Sequence, residues 1–463
     1  MGLLIRNGEI VTASERYKAD IWCEGETITR IAPGLEAGPD DEVVDATGKY
    51  VFPGFVDPHT HIYLPFMGTF AKDTYETASQ AALVGGTTCF IDFVIPSRQE
   101  EPLDALAMWN EKSEGRSACD FTYHMAVTRY DEKIAPQLRQ IVEKEGIASF
   151  KVFLAYKGAF GVEDYELFHT LRTAKELGAI VTAHCENADA VTELQKELLA
   201  DGKTGPEWHY WSRPPRVEAC GTAHLMTFAE LTGAHVYVVH LSCGEALEEA
   251  MRGKSRGVHA YVEALIQHLL LDMTYAERPE FEGAKYVMSP PLRDKRNQDI
   301  LWNGLAHQFV STVATDHAPF DFEAQKRAMG SDDFTKIPNG IPALEDRVNL
   351  LYTYGVKRGR IDLHRFVDAA STQPAKIFGL APRKGVIQPG ADADLVVYDP
   401  DYRGKISAST QKMNLDYSAF EGTEIEGRPH VVTVRGEIAA RDGEFVGTIG
   451  RGRRLLREAT HGA

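Results

Sequence analysis

Six cysteines in 463 residues (Cys23, Cys89, Cys119, Cys185, Cys220 and Cys243) are too scattered to make a single Cys-x-x-Cys pair, so neither a thiolate zinc site nor a dithiol redox motif is encoded. In a chain this long they are expected as buried free thiols of a cytoplasmic protein. No apolar run approaches the roughly 20 residues that a membrane helix needs. The opening "MGLLIRNGEIV" carries Arg6 and Glu9 too early for a secretory signal. Positive charge is also scarce: 50 Lys and Arg against 67 Asp and Glu leave a net charge of −17. That balance argues against a non-specific nucleic-acid binder and against docking to anionic membranes. The one basic cluster, "GRGRRLLRE" near the C-terminus, reads as a solvated tail or a subunit contact. Low-complexity tracts, fixed-period repeats and a Gly-rich phosphate fingerprint behind a strand are absent as well.

What remains is the composition of an ordinary globular enzyme, 43% hydrophobic and 25% charged, in a chain longer than one core usually supports. Both ends have the texture of short strands and tight turns. "LLIRNGEIVTA" holds an Asn-Gly turn, and "VVTVRGEIAARDGEFVG" holds Arg-Gly and Asp-Gly turns between apolar runs. Two β-rich ends predict one small β-sandwich from residues 1–54 and 380–463, the C-terminal tail included. Residues 55–379 alternate differently. Eight apolar runs, "FPGFVDPHTH", "CFIDFV", "FTYHMAV", "SFKVFLA", "AIVTAHC", "HVYVVHL", "VHAYVEA" and "STVATDH", are separated by stretches of helical period such as "EDYELFHTLRTAKEL". This is the α/β pattern of a TIM-like (β/α)8 barrel, with an open doubly wound sheet as its rival.

In a barrel, side chains at the C-terminal strand ends share one rim, where catalytic groups collect. His59 and His61 close the first run, His184 the fifth, His240 the sixth and Asp316 the eighth; Lys151 lies inside the fourth. Four imidazoles and a carboxylate on one rim are a donor set for zinc, and manganese, cobalt or iron suit the same ligands. Cys185, next to His184, should point the other way into packing. His317 beside Asp316 is a candidate for substrate or supporting contacts. Lys151 is the odd member, because a lysine in an apolar strand is costly unless its charge is lost or paired. It can snorkel to the rim, form a Schiff base, or take up CO2 as a neutral amine to give an anionic carbamate.

This constellation resembles the cyclic amidohydrolases. The stretches "HTHIYLPFMGTFAKDTYETASQAALVGGTT", "FKVFLAYKG", "TAHCEN", "VHLSCGEAL", "YVMSPPLRDK", "DFTKIPNGIPALEDRV" and "GADADLVVYDP" are similar to hydantoinases and dihydropyrimidinases, nearest the bacterial D-hydantoinases. The resemblance implies two divalent metals per subunit, most simply zinc, with manganese or cobalt as substitutes. His59, His61 and Asp316 would hold the first, His184 and His240 the second, and Lys151, carried as N6-carboxylysine, would bridge them. It further implies that a bridging hydroxide attacks the ring carbonyl, Asp316 shuttles the proton, and Tyr156 stabilises the oxyanion. Ser289 and Asn339 would bind the cyclic amide through their backbones. A homotetramer acting on a small cyclic amide, with no nucleic-acid or membrane partner, is the implied assembly.

Leu64, Phe66, Phe153 and Phe160 are apolar rim residues suited to a hydrophobic substituent, and equally to barrel-end packing. Dihydroorotases of this superfamily use an arginine after the first strand for a carboxylate, and "HTHIYLPFMG" has none. Hydrolysis of hydantoins and dihydropyrimidines to N-carbamoyl amino acids is therefore the expected reaction. An allantoinase-like ureide hydrolase is one alternative, and a non-catalytic scaffold of the same fold another.

Overall fold

Runs rich in valine, isoleucine and phenylalanine without polar alternation must be buried on both faces, and the chain builds parallel strands from them. In the computed structural model, which describes residues 2–461, these are β1 (Phe55–Thr60), β2 (Thr87–Val94), β3 (Asp120–Ala126), β4 (Ser149–Phe153), β5 (Ile180–His184), β6 (Val236–Val238), β7 (Ala260–Leu265) and β8 (Thr312–Ala314). They stand side by side in chain order, each parallel to the next. An open doubly wound sheet would reverse strand order at a switch point, so the barrel is the correct reading. Helices fill the connections. Asp164–Leu177 is typical: Glu163 and Glu166 form a reciprocal cap at its start, and Gly178, at φ 68°, supplies the left-handed residue that ends it.

The ring closes between β1 and β8 with little backbone pairing, a Thr60–His317 bridge and a 2.8 Å bond from the His61 N–H to the His317 carbonyl. Side chains complete the seam. The fully buried Arg347 donates to the carbonyls of Val56 (3.0 Å) and Val313 (2.8 Å) and to Thr87 Oγ1 (3.1 Å). Asp57, 3.7 Å from the guanidinium, accepts a 2.7 Å bond from Thr315 Oγ1. Two buried charges thus compensate each other while tying both strands together.

The two chain ends interleave as their textures suggested. A seven-stranded sheet places Tyr50–Pro53 between Glu9–Val11 and Leu395–Lys405, with Val51 opposite Val397. A four-stranded sheet of Gly2–Arg6, Asp20–Glu24, Thr27–Ala32 and Glu42–Asp45 packs on it through Ile5, Ile21, Val51 and Val431. The buried Lys384 joins this sandwich to the barrel. Its Nζ lies 2.8 Å from Asp394 and 2.7 Å from Asp120 at the start of β3.

Two sequence expectations need correction. The basic C-terminal segment is not a solvated tail: Arg451 and Arg453 bond Glu437 and Glu26 of the sandwich, and the residues after them pack on the barrel. The Phe121 N–H donates to the Arg453 carbonyl (3.0 Å) and the Leu455 N–H to that of Phe121 (2.7 Å), so the segment pairs with β3. Arg457 is buried, bonding Thr122 Oγ1, Ser149 Oγ and the carbonyls of Tyr123 and Phe378. A guanidinium has five donors, and these acceptors make its burial tolerable. Among the cysteines, Cys220 is exposed and the other five are buried. No helix among the described residues is long and apolar enough to cross a membrane.

Candidate active site

His59 and His61, two residues apart at the end of β1, project toward the same side of the rim. Their Nε2 atoms each lie 3.0 Å from Asp316 Oδ1, which arrives from the end of β8. The three donor atoms fall within 4.8 Å of one another. Yet His59 Nε2 makes no directed hydrogen bond despite that proximity. Donors crowded around one point without bonding each other are arranged for a shared cation. Burial opposes a charge on His59, but the Glu263 and Asp316 carboxylates overcome it and raise its pKa to about 9. Burial takes His61 down to about 4. Asp316, despite its burial, is held well below the usual carboxylate range by His59 and His61.

A second pair faces the first. His184 Nδ1, from β5, is 3.0 Å from His240 Nε2, beyond β6. The other His184 nitrogen donates to Glu186 Oε2 at 2.7 Å, and Arg213 reaches the same oxygen at 2.5 Å. With Nε2 carrying the hydrogen, His184 Nδ1 presents a bare lone pair. Burial lowers the pKa of both imidazoles, which keeps them neutral. Tyr156, His240 and Asp316 have φ of 58°, 39° and 48°, a left-handed backbone that non-glycine residues rarely adopt. Each such residue costs about 1–3 kcal/mol, and such strain gathers where function needs a side chain aimed off its strand.

Lys151 lines the same cavity as both groups. It is 1% exposed, so the snorkelling alternative is wrong. Its Nζ has no carboxylate in ion-pair reach among the described residues and lies 5.0 Å from the ring centres of both Phe93 and Phe153. Burial brings its pKa down to about 8 against the pull of Asp316 and Glu263.

One cavity of ≈ 550 Å³, including the space open to solvent, is lined by all the candidate site residues except His317. His59, His61, Lys151, His184, His240 and Asp316 form its floor. Leu64, Phe66, Phe153 and Phe160 form an apolar side, with the Phe66 and Phe160 rings stacked at 6.2 Å. Tyr156, three residues beyond β4, lies edge-on to Phe66 at 6.0 Å, and burial raises its pKa so that the hydroxyl keeps its proton. Ser289 and Asn339 complete the wall and are joined by a 3.0 Å bond from Asn339 Nδ2 to Ser289 Oγ. Among the described residues, the backbone N–H and C=O of these two make no hydrogen bond within the protein. Peptide groups left free at a cavity wall are open to a ligand.

The amidohydrolase family profile matches residues 50–439, most of the chain and the whole of this site. The chain belongs to the amidohydrolase family. It is 46% identical to a D-hydantoinase of Geobacillus stearothermophilus, with 100% of this chain and 98% of that protein aligned. It is 38% identical to a dihydropyrimidinase of Dictyostelium discoideum, over 97% and 90% of the two chains. A solved structure, "D-Hydantoinase (Dihydropyrimidinase)" from Thermus sp., shares 65% identity and superposes with a TM-score of 0.97, covering 99% and 100%. Enzymes of this family are metal-dependent hydrolases, and the orphaned His59 nitrogen beside His61 and Asp316 fits a divalent cation.

Sequence reasoning about this amidohydrolase overlooked the groups that orient the donors. Glu263, in the middle of β7, accepts from His59 Nδ1 at 2.7 Å, from the His240 N–H at 2.9 Å and from the Tyr237 hydroxyl at 2.8 Å. A charge inside the apolar run "VHAYVEA" is the same signal that singled out Lys151, so it was available. Glu186, two residues beyond His184 and on its side of the chain, was also detectable. Arg213 carried no local signal. His317 does not line the cavity; its Nε2 bonds Asp73 at 2.8 Å, and it serves the barrel seam.

Proposed function

We propose that the protein hydrolyses the ring amide C–N bond of hydantoins and dihydropyrimidines, releasing N-carbamoyl amino acids. The observation that carries this reading is a buried lysine without an ion-pair partner that lines one cavity with two convergent donor groups and a wall of unpaired peptide groups. His59, His61 and Asp316 would hold one divalent cation and His184 and His240 a second, most simply both zinc, with manganese or cobalt as substitutes. Cations held there would supply Lewis acidity toward the ring carbonyl and would lower the pKa of water toward about 7.

The chain's own groups do the rest. Burial enlarges the neutral fraction of Lys151, and its amine would add to the carbon of CO2 and release one proton to solvent, giving an anionic carbamate that could serve as a cation ligand. Asp316 takes the proton of the attacking water and returns it to the ring nitrogen as that bond breaks. The Tyr156 hydroxyl donates to the oxygen on which negative charge develops. The free peptide groups of Ser289 and Asn339 pair with the –NH–CO– edge of the ring. Leu64, Phe66, Phe153 and Phe160 receive the exocyclic substituent and exclude water. Homotetrameric assembly and a cytoplasmic location belong to the same reading.

The test is hydrolysis of hydantoin and dihydrouracil by the purified protein, before and after treatment with a chelator. Turnover of either ring that chelation abolishes and added zinc, manganese or cobalt restores is the expected result. Fully metallated protein that opens neither ring sinks the proposal.

A further inference from the structure

The loops that present Ser289 and Asn339 come from separate parts of the chain and share no sheet. Besides the direct Asn339–Ser289 side-chain bond, one buried side chain, Lys326, touches both loops. It lies in the π-helical turn Phe322–Arg327, is fully buried, and has no carboxylate in ion-pair reach among the described residues. Its Nζ donates to the carbonyl of Val287 at 3.0 Å and to that of Pro338 at 2.9 Å. Val287 stands two residues before Ser289, and Pro338 immediately before Asn339.

Other bonds pin the same segments. The Gly340 N–H donates to the Val287 carbonyl at 3.0 Å, and His209 Nε2 lies 2.8 Å from the Met288 carbonyl. The carbonyls of Val287, Met288 and Pro338 are therefore all engaged, while the peptide groups of Ser289 and Asn339 are left free. A buried ammonium without a counter-ion is costly, and an apolar residue of the same length would avoid that cost. Burial takes the Lys326 pKa down to about 7. Even the neutral amine keeps two N–H donors, which is the number of carbonyls it meets.

We propose that Lys326 is a positioning residue for the substrate ring, stapling the two loops so that the free peptide groups of Ser289 and Asn339 meet one cyclic amide edge together. The inference rests on the cyclic-amide reading above. None of the Lys326 hydrogen bonds reaches a cation donor, so its loss should weaken ring binding without emptying the metal site.

The metal-loaded, full-length Lys326→Met enzyme tests this with hydantoin and dihydrouracil. KM should rise about tenfold with kcat within about threefold of wild type, because the lost contact organises binding rather than bond breaking. Metal content should be unchanged. An unchanged KM, or a fall in kcat that tracks metal loss, overturns the staple. Should the methionine variant fail to fold, the shorter Lys326→Gln, which cannot reach both carbonyls, replaces it: a KM rise of about threefold or more with metal content unchanged supports the staple, and a smaller rise or metal loss refutes it. Wild-type enzyme that opens neither ring is a separate outcome, which defeats the functional reading before any variant is compared.

Discussion

Glu263 Oε1 lies 2.7 Å from His59 Nδ1 and 2.9 Å from the backbone nitrogen of His240, so one carboxylate on β7 aligns donors that arrive from β1 and β6. The rim is organised from beneath, by a group that never meets the cavity. Removing it should act on the cation before it acts on the chemistry. Glu263→Ala should weaken metal affinity about 10–100-fold, read by chelator competition, with activity recovering at high added metal. Unaltered affinity would show that the carboxylate is only filling space.

Lys151→Ala should lose both metal occupancy and turnover, because it removes the cavity side chain that CO2 would convert into an anionic ligand. A short carboxylic acid supplied in solution should restore part of both. Intact-mass measurement of the wild type under non-acidic conditions should find the added mass of one CO2 on Lys151. A variant with full metal content and full activity would remove the bridging role.

Phe66 and Phe160 stack across the cavity mouth, so their value depends on what the substrate carries there. Phe160→Ala should leave hydantoin itself within about threefold of wild type. It should lower kcat/KM for a hydantoin with an aromatic substituent by about 10–100-fold, the range expected when roughly 1–3 kcal/mol of apolar contact is lost. Equal losses on both substrates would assign the ring to barrel packing instead.

The β1–β8 seam depends on a buried pair, Arg347 and Asp57. Arg347→Met leaves the Asp57 carboxylate buried without its partner, at a cost of about 3–5 kcal/mol. Thermal unfolding should begin well below the wild-type midpoint, with metal release accompanying it, since His59 and Asp316 sit on the two strands being released. An unchanged midpoint would mean the backbone bridge alone closes the barrel.

Glu345 predicts how stability changes with pH. Burial, reinforced by Asp346, raises its pKa from 4.5 to about 8. Folding therefore takes up a proton between those values, and stability is lost as pH climbs from about 5 through about 8. Glu345→Gln has no proton to lose and can still accept the bond that Oε2 now takes from the Lys412 N–H at 2.6 Å. Its melting temperature should gain on the wild type steadily from pH 5 to pH 9. Asp346, itself raised to about 7 by burial, leaves a residual slope in the variant. A constant difference across that range would place the Glu345 charge in solvent.

Particular residues show why some of this was available without coordinates. The eight strands were visible because a strand buried on both faces must be written in apolar, β-branched residues whatever its neighbours are. His59, His61, His184, His240 and Asp316 stood out because polar residues at the ends of such runs have nowhere to go but the rim. Lys151 stood out for the opposite reason, as a charge inside one. Glu263 has the same signature and was passed over, since its meaning depends on a histidine 204 residues away.

The amino-acid order alone determined the barrel, the interleaved ends and the set of donors, because burial and period are local constraints that each segment carries within itself. Tertiary structure decided everything that depends on two distant segments meeting. Arg457 became a buried plug rather than a solvated charge because β3 and the end of Ser149's strand offered it acceptors. Lys326 became a staple because Val287 and Pro338 happen to turn their carbonyls toward one point. A hydrogen bond needs its partner within about 3 Å, and no sequence pattern states which partner that will be.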